Sequence, residues 1–319
     1  MGPGAVSPTL RDLGEFELIR QLTARFARTS DVLVGPGDDA AVLAAADGRV
    51  VVTTDLLLQG RHFRLDWSSG TDVGHKAAAQ NLADVAAMGA RPTGLFVGFA
   101  GPGQLDAAWA LALADGLAAE CARAGASVAG GDVSSADSIM LGVTALGDLA
   151  GRPPVLRSGA RPGDVVVLAG PVGHAEAGLA LLTAGRDGWE DLVAAHRRPR
   201  PPYRLGPVLA AAGATAMCDV SDGLAQDLGH IAAASGVRVE IRSAALEIGP
   251  RMRSAAAALG VDPLGWALAG GEDHSLVACL PPTVPPPAGC VPIGTVLLGD
   301  GVTVDGQPPA GPGGWNHFD

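Results

Sequence analysis

Apolar runs of strand length alternate with longer stretches in which apolar residues recur at helical spacing, the layering of an α/β or α+β protein. In the first half, strands are expected at 31–35, 49–54, 93–100, 126–129 and 138–147, with helices at about 71–88 and 105–124. A stretch rich in Gly, Pro and Arg at 150–163 then punctuates the chain and reads as a linker or boundary. The second half restarts with a strand at 164–169, helices at 175–184 and 202–212, and a strand at 215–220 that leads into a helix at 222–234. A strand at 237–241, a helix around 252–259 and strands at 275–280 and 291–297 complete it, with Pro/Gly-rich loops at 281–289 and 306–314 and no short-period repeat.

At about 150 residues per domain, 319 residues make about two domains, and the boundary divides the chain into 1–150 and 151–319. Hydrophobic residues are 48% of the chain but aromatic ones only 4%, so much of the apolar content is small Ala and Val, suited to tightly packed layers. The cysteines Cys121, Cys218, Cys279 and Cys290 are scattered, with no C-x-x-C pair, which argues against a zinc site or a disulfide framework and for free thiols in a reducing cytoplasm. The first eleven residues lack a basic stretch followed by an apolar one, so no secretory leader is expected. No 18-residue stretch is apolar and free of Gly and charge, so no membrane span is expected either.

Charge narrows the chemistry. With 33 acidic and 22 basic residues the net charge is −11, and no Lys/Arg run supplies the basic surface that nucleic acid requires. Lys76 is the only lysine and sits in His75-Lys76-Ala77, which excludes a P-loop. A nucleotide would have to be held by arginine, backbone amides or metal ions. There is no Gly-x-Ser-x-Gly elbow and no His-Glu-x-x-His, so nucleophilic hydrolase and zinc-protease chemistry have no support.

The acidic residues are placed unusually. They stand beside glycine where strands are expected to end: Gly35-Pro36-Gly37-Asp38-Asp39-Ala40, Thr53-Thr54-Asp55, Gly130-Gly131-Asp132, Asp219-Val220-Ser221-Asp222-Gly223 and Gly270-Gly271-Glu272-Asp273. Any one of these is an ordinary turn sequence. Five together point to one site, because open α/β sheets bind ligands at the carboxyl ends of their strands. Carboxylates converging without a counter-ion would repel by about 4 kcal/mol per contact pair at an effective dielectric of about 20. A hard cation is therefore implied, and Asp and Thr oxygens with substrate phosphates suit Mg²⁺.

The apolar helix around Asn81 to Met88 carries one more carboxylate, Asp84, on a stripe with Lys76 and Gln80. A charge on a buried helix needs a partner. A salt bridge to Lys76 and a metal ligand are the two readings. Ser221 and Asp222 also fit the N-cap and first turn of their helix, whereas Asp219 has no capping role. His62 follows the Thr53-Thr54-Asp55 strand on the side where a ligand would sit, while His230 reads as a surface or packing histidine.

Read in order, GEFELI at 14–19, GPGDDAAV at 35–42, TTD at 53–55, NLADVAAMGARP at 81–92, GGD at 130–132, RSGARPGD at 157–164, DVSDGLAQDLGHI at 219–231, GGED at 270–273 and the closing Trp315-Asn316-His317-Phe318 resemble the thiamine-monophosphate kinase family. That family lies within a wider superfamily of aminoimidazole-ribotide synthetase-like ATP-binding enzymes. The resemblance implies an N-terminal mixed-sheet domain that dimerises and binds ATP and metal. It also implies a C-terminal α/β domain that completes an active-site cleft. The implied reaction is ATP-dependent phosphorylation of thiamine monophosphate to thiamine diphosphate with several Mg²⁺ ions, in a cytoplasmic homodimer.

Carried over by position, the metal ligands are Asp39, Thr53, Thr54, Asp55, Asp84, Asp132, Asp219 and Asp222. The ATP-binding residues are Gly131, Asp132, Arg157 and Ser221, and the substrate-binding residues are His62, Glu272 and Trp315. None acts as acid or base, since a phosphate with a second pKa near 6 is already an ionised nucleophile at neutral pH. The chain departs from the family where GGED is usually followed by Tyr-Glu and here by His274-Ser275, which bears on the thiamine pocket and not on the phosphate end. Two other readings are weighed against this one. A selenide water dikinase-like or aminoimidazole-ribotide synthetase-like enzyme would use the same fold, but the first should carry a reactive Cys near its start, and here the earliest is Cys121. A non-catalytic protein binding thiamine phosphates and metal would take up ligand without consuming ATP.

Overall fold

The structure is a computed structural model and describes residues 8–36, 40–309 and 314. Two compact units are present, one of Met1–Leu82 with Pro92–Asp148 and one of Ala83–Arg91 with Leu149–Asp319.

The first unit contains α1 (Leu10–Leu13), α2 (Glu15–Thr23), β1 (Val32–Val34), β2 (Val42–Leu43), β3 (Val51–Leu58), α3 (Gly70–Ala87), β4 (Arg91–Gly101), α4 (Ala107–Ala124), β5 (Ser127–Ser135) and β6 (Met140–Asp148). α3 runs on into the segment grouped with the second unit. Its start is fixed by Ser69 and Asp72, which form reciprocal side-chain-to-backbone bonds of 2.9 and 3.3 Å, the capping box that the S-x-x-D spacing allows. α3 and α4 touch through glycine: a Cβ on Gly74 would stand 2.0 Å from the Leu113 carbonyl oxygen, and one on Gly116 would stand 2.2 Å from that of Thr71. The sheet order is β3-β6-β4-β5, with β3–β6 antiparallel and β4–β5 parallel, a mixed sheet with β3 and β5 at its two edges.

The second unit adds β7 (Val165–Ala169), α5 (His174–Thr183), α6 (Glu190–Arg197), α7 (Leu205–Ala211), β8 (Ala216–Val220), α8 (Leu224–Ser235), β9 (Arg238–Ile241), a 3₁₀ turn (Ser243–Ala245), α9 (Pro250–Leu259), α10 (Pro263–Ala269), β10 (Ser275–Leu280), β11 (Cys290–Leu297) and β12 (Gly301–Val304). Its six strands are ordered β12-β9-β11-β7-β10-β8. Both faces of this sheet are covered. Val166 and Leu168 join Leu181, Leu228, Ile231 and Trp266 in one core, while Val167 packs with Leu209, Met217 and Leu280 in another. Strands buried on both faces are apolar throughout, which is why Val165–Ala169 and Ser275–Leu280 show no alternation.

Most elements fall where the hydrophobic pattern places them. The helix α2 and the short pieces α1, β2, α6, α10 and β12 were not expected. Three boundaries carry functional weight and require correction. The strand holding Thr53, Thr54 and Asp55 does not end there but continues through Leu56, Leu57 and Leu58, and the strand holding Gly131 and Asp132 continues to Ser135. α8 starts at Leu224 with Gly223 as its N-cap, so Ser221 and Asp222 precede the helix instead of capping it.

Candidate functional site

The second unit gathers its carboxylates at the point where β8 passes into α8. Asp219, in β8, is buried, and its Oδ2 lies 3.1 Å from Nδ1 of His274. Beyond β8 the chain turns through Ser221 and Asp222 into Gly223, whose φ of 131° lies in the region open to glycine. Asp227, one turn into α8, accepts the backbone N–H groups of Asp222 and Gly223, both at 3.1 Å. It therefore holds the turn from within the helix, the role the spacing had offered to Ser221 and Asp222.

The GGED segment runs alongside. The Glu272 N–H donates to the Ser221 carbonyl at 2.8 Å and the His274 N–H to that of Val220 at 2.9 Å. Glu272 and His274 adopt φ values of 64° and 52°, a left-handed conformation uncommon for such side chains and concentrated at functional sites. A Cβ on Gly271 would stand 2.5 Å from the Ser221 carbonyl oxygen, so the close approach of these two segments requires glycine there. Between Glu272 and His274, the buried Asp273 caps α5 by accepting the N–H groups of Gly173 at 2.5 Å and Ala175 at 2.9 Å.

The electrostatics of this region are those of crowded acid. Burial, then the neighbouring charge of Asp219, pushes Asp227 up to about 7 despite its two backbone donors. Burial likewise pushes Asp273 up to about 7 against the donors of Ala175 and Gly173. Burial and the charge of Glu272 raise Glu176. For His274 burial disfavours the charged ring, but the bond to Asp219 and the charges of Asp219, Glu272 and Asp84 outweigh it, and its pKa is raised. Asp84 thus acts on the same histidine that Asp219 binds. Lys76, its alternative partner by helical spacing, donates to the His62 carbonyl at 3.3 Å. Arg157 is exposed, and its carbonyl accepts from Ser235 at 3.2 Å.

The first unit distributes its candidates differently. Thr53, Thr54 and Asp55 lie on β3, whereas Gly131 and Asp132 lie on β5, with two strands between. At about 4.8 Å per strand that is roughly 14 Å. Strand periodicity also puts Thr53 and Asp55 on one face and Thr54 on the other, where its Oγ1 donates to the Val143 carbonyl at 3.0 Å and accepts from Thr144 Oγ1 at 3.1 Å. Gly131 has a structural reason to be glycine, since a Cβ would stand 2.1 Å from the Val97 carbonyl oxygen of the paired strand. His62 Nδ1 accepts the Leu58 N–H at 3.0 Å, so a neutral ring carries its proton on Nε2. TTD and GGD, the two acidic segments described in the first unit, thus stand on opposite edges of its sheet. Asp39 and Trp315 lie outside the described residues.

Among the described residues no group of three or more His, Cys, Asp or Glu side chains forms a ready metal cage. Sequence reasoning named Asp273 only as part of GGED, without a role, and passed over Asp227, Glu176 and His196. Asp227 could have been found as the carboxylate four residues after Gly223 in the helical register. His196 carried no signal, because α6 itself was not expected. All four cysteines are free, three of them buried, and His230 is exposed. No described helix is long and apolar enough to cross a membrane.

Models of the AIR synthase related protein family match this chain, the N-terminal domain at residues 37–149 and the C-terminal domain at residues 161–282. A thiamine-monophosphate kinase of Mycobacterium tuberculosis is 52% identical over 314 residues, covering 98% of this chain and 94% of that protein. The crystal structure of thiamine-monophosphate kinase from Stenotrophomonas maltophilia K279a superposes with a TM-score of 0.81 at 34% identity, covering 93% of this chain and 98% of that one. A structure of AaThiL complexed with AMPPCP and TMP has a TM-score of 0.81 at 32% identity, covering 98% of this chain and 100% of that one.

Proposed function

The chain belongs to the thiamine-monophosphate kinase family, and on that premise we propose that it transfers the γ-phosphoryl group of ATP to thiamine monophosphate, giving thiamine diphosphate and ADP. The observation that carries the reading is the gathering of Asp219, Ser221, Asp222 and Glu272 in the two segments, DVSDG and GGED, by which the chain resembles that family, with His274 just after GGED standing against Asp219. The relative solved with AMPPCP and TMP supports the pairing of an ATP-like nucleotide with a thiamine phosphate on this fold.

Each residue then has a chemical task. Asp84, Asp219 and Asp222 of the second unit, with Thr53, Asp55 and Asp132 of the first and Asp39 beyond the described residues, are the oxygen donors for Mg²⁺, and Thr54, whose hydroxyl is turned to the other face and bonded to Val143 and Thr144, joins them by its backbone oxygen. The donor chemistry fits: hard oxygen ligands suit this ion, and the upward pressure on Asp227 from Asp219 and Asp222 marks acid that a cation would relieve. Mg²⁺ usually takes only one or two carboxylates and completes its shell with water and phosphate oxygens, so a preformed cage is not required. When bound, the ions neutralise the phosphate oxygens as charge develops in transfer.

Gly131, Asp132, Arg157 and Ser221 address the nucleotide. His62, Glu272 and Trp315 address thiamine monophosphate, with Trp315 the aromatic for its rings. The acceptor phosphate is already ionised, so transfer is direct and in line, without a general base or phosphoenzyme. In this reading residues 1–150 form the ATP- and metal-binding, dimerising domain, and 151–319 the second domain. A homodimer is supported by the outward face of β3 and β6, where Val52 (56% exposed), Leu56 (57%), Leu58 and Met140 form an apolar row. A cytoplasmic location is supported by the free, buried thiols.

The test is an end-point assay with ATP, Mg²⁺ and thiamine monophosphate. Thiamine diphosphate and ADP should appear in equal amounts and only when all three are present. Uptake of thiamine monophosphate without ADP formation would leave a binding protein in place of an enzyme.

A further inference from the structure

One titratable side chain beside this site has no place in the chemistry above. His196, in α6, is 5% exposed, and its Nδ1 stands 3.2 Å from Oε2 of Glu272, at ion-pair distance but without the alignment of a hydrogen bond. Its position is set by helix packing: a Cβ on Gly178 of α5 would stand 2.2 Å from the Leu192 carbonyl oxygen and 2.9 Å from His196 Cβ, so α5 and α6 are pressed together at this turn. Glu272 is held equally firmly at its backbone, by its left-handed φ and its bond to Ser221. Its side chain is only half-buried, however, and shares its surroundings with a second carboxylate, Glu176, whose pKa its charge helps to raise. Glu176 itself lies against the GGED turn, because a Cβ on Gly270 would stand 2.5 Å from Glu176 Cβ. Two neighbouring acids repel each other and would turn the Glu272 carboxylate away from a fixed geometry. A buried imidazole on one of its oxygens opposes both effects.

We propose that His196 is a positioning residue for substrate recognition, orienting the Glu272 carboxylate toward the cationic thiazolium and amino-pyrimidine of thiamine monophosphate. The proposal rests on the reading of Glu272 as a substrate-binding residue. The chemistry is that of an oriented anion. A carboxylate with a buried imidazole standing against one oxygen has fewer orientations to lose when a cationic or N–H-donating heterocycle meets it, so the orientation is built before binding and is not taken from the binding energy. Because the effect is made with the heterocycle and not with the transferring phosphoryl group, it acts on substrate affinity and leaves the chemical step alone.

The test compares four chains by steady-state kinetics. His196→Leu removes the donor while filling the space. His196→Asn places an amide N–H near the position of Nδ1. Glu272→Gln and the His196→Leu/Glu272→Gln pair complete the set. His196→Leu should raise KM for thiamine monophosphate about tenfold, the cost of one close polar contact to a carboxylate, with kcat changed less than about threefold and KM for ATP unchanged. His196→Asn should recover most of the loss, and the double variant should behave as Glu272→Gln does. Where Leu is refused by the fold, His196→Gln, whose amide falls near Nε2, serves in its place.

An unchanged KM in His196→Leu overturns the proposal, as does equal damage to both KM values or a double variant in which the two losses multiply. A Glu272→Gln chain with normal KM for thiamine monophosphate overturns the reading of Glu272 and the proposal with it. A damaged Glu272→Gln beside a silent His196→Leu overturns the proposal alone.

Discussion

The two units carry acidic segments of similar sequence and use them in opposite ways. In the second, DVSDG and GGED lie side by side, tied by backbone bonds from Glu272 to Ser221 and from His274 to Val220, and their side chains interact. In the first, TTD and GGD occupy the two edges of one sheet, two strands apart, in the middle of strands that run on past them. The carboxylates pushed up by burial, Asp227, Asp273 and Glu176, all lie in the second unit, while exposed ones in either unit, Asp12, Glu17 and Asp66 of the first and Asp191 and Asp305 of the second, are drawn down by hydrogen bonds. A motif of Asp beside Gly is thus no evidence of convergence. Convergence follows from which strand ends the topology brings together.

The sharpest test of that difference is Asp219→Asn. Asp219 is buried at the centre of the second unit's cluster and bonded to His274, so the substitution removes a charge while keeping shape. Kcat for thiamine diphosphate formation should fall on the order of 10²–10³-fold, the usual loss when one group stabilising transition-state charge is deleted. A chain with full Mg²⁺-dependent turnover would remove Asp219 from the machinery. Next in size are Asp55→Asn and Asp132→Asn in the first unit, one on each edge of the sheet. Each should lower kcat/KM for ATP roughly tenfold to a hundredfold, and titration with Mg²⁺ should show a higher half-saturating concentration. If both are silent while Asp219→Asn is not, the first unit's motifs are turn and strand chemistry only.

What the sequence could and could not reveal divides along the same line. α3 was legible almost to the residue, because Ala77, Ala78, Leu82, Ala83, Val85 and Ala86 leave it almost no polar face apart from the stripe of Lys76, Gln80 and Asp84. The fully buried strands Val165–Ala169 and Ser275–Leu280 were legible as unbroken apolar runs. The ends of β3 and β5 were not, because Asp beside Thr or Gly signals a turn by local propensity, and only pairing with β6 and β4 carries the strands past it. Within the site, residues named by motif were found, but their supports were not. Asp227 acts across one helical turn, and His196 reaches Glu272 over a long separation in sequence, a contact set by the packing of α5 on α6.

The first unit's apolar row gives a smaller prediction that is independent of chemistry. Leu56 is exposed on the outward face of β3, an edge strand, beside Val52 and Leu58. Leu56→Glu should weaken self-association about tenfold or more, since a charge at the centre of an apolar contact forfeits the burial of one large side chain, about 1.5–3 kcal/mol. Sedimentation velocity over a concentration series reads this directly. A chain that is monomeric before the change, or a dimer unaffected by it, would take the interface away from this face.

The smallest effect, on stability, belongs to the second unit. Asp273 is pushed up to about 7 in the folded chain from an ordinary value of 3.8. Between those two pH values the folded state holds a proton that the unfolded state has released, so stability declines as pH rises from about 4 to about 7. The contribution is fully present below the lower value and lost above the upper one. Asp227, also at about 7, adds a decline of the same sign. Asp273→Asn should therefore cost stability at pH 5, where the acid of the folded wild type is still protonated and the cap on α5 is weakened by an amide that offers one acceptor to two N–H donors. The gap between variant and wild type should narrow as pH rises toward 8, because only the wild type then carries a buried charge. Urea unfolding of both chains at pH 5 and pH 8 measures the two gaps. A gap that widens with pH would mean that the donors of Gly173 and Ala175 outweigh burial and that Asp273 is an ordinary ionised cap, which would bring the second unit's carboxylates closer to those of the first.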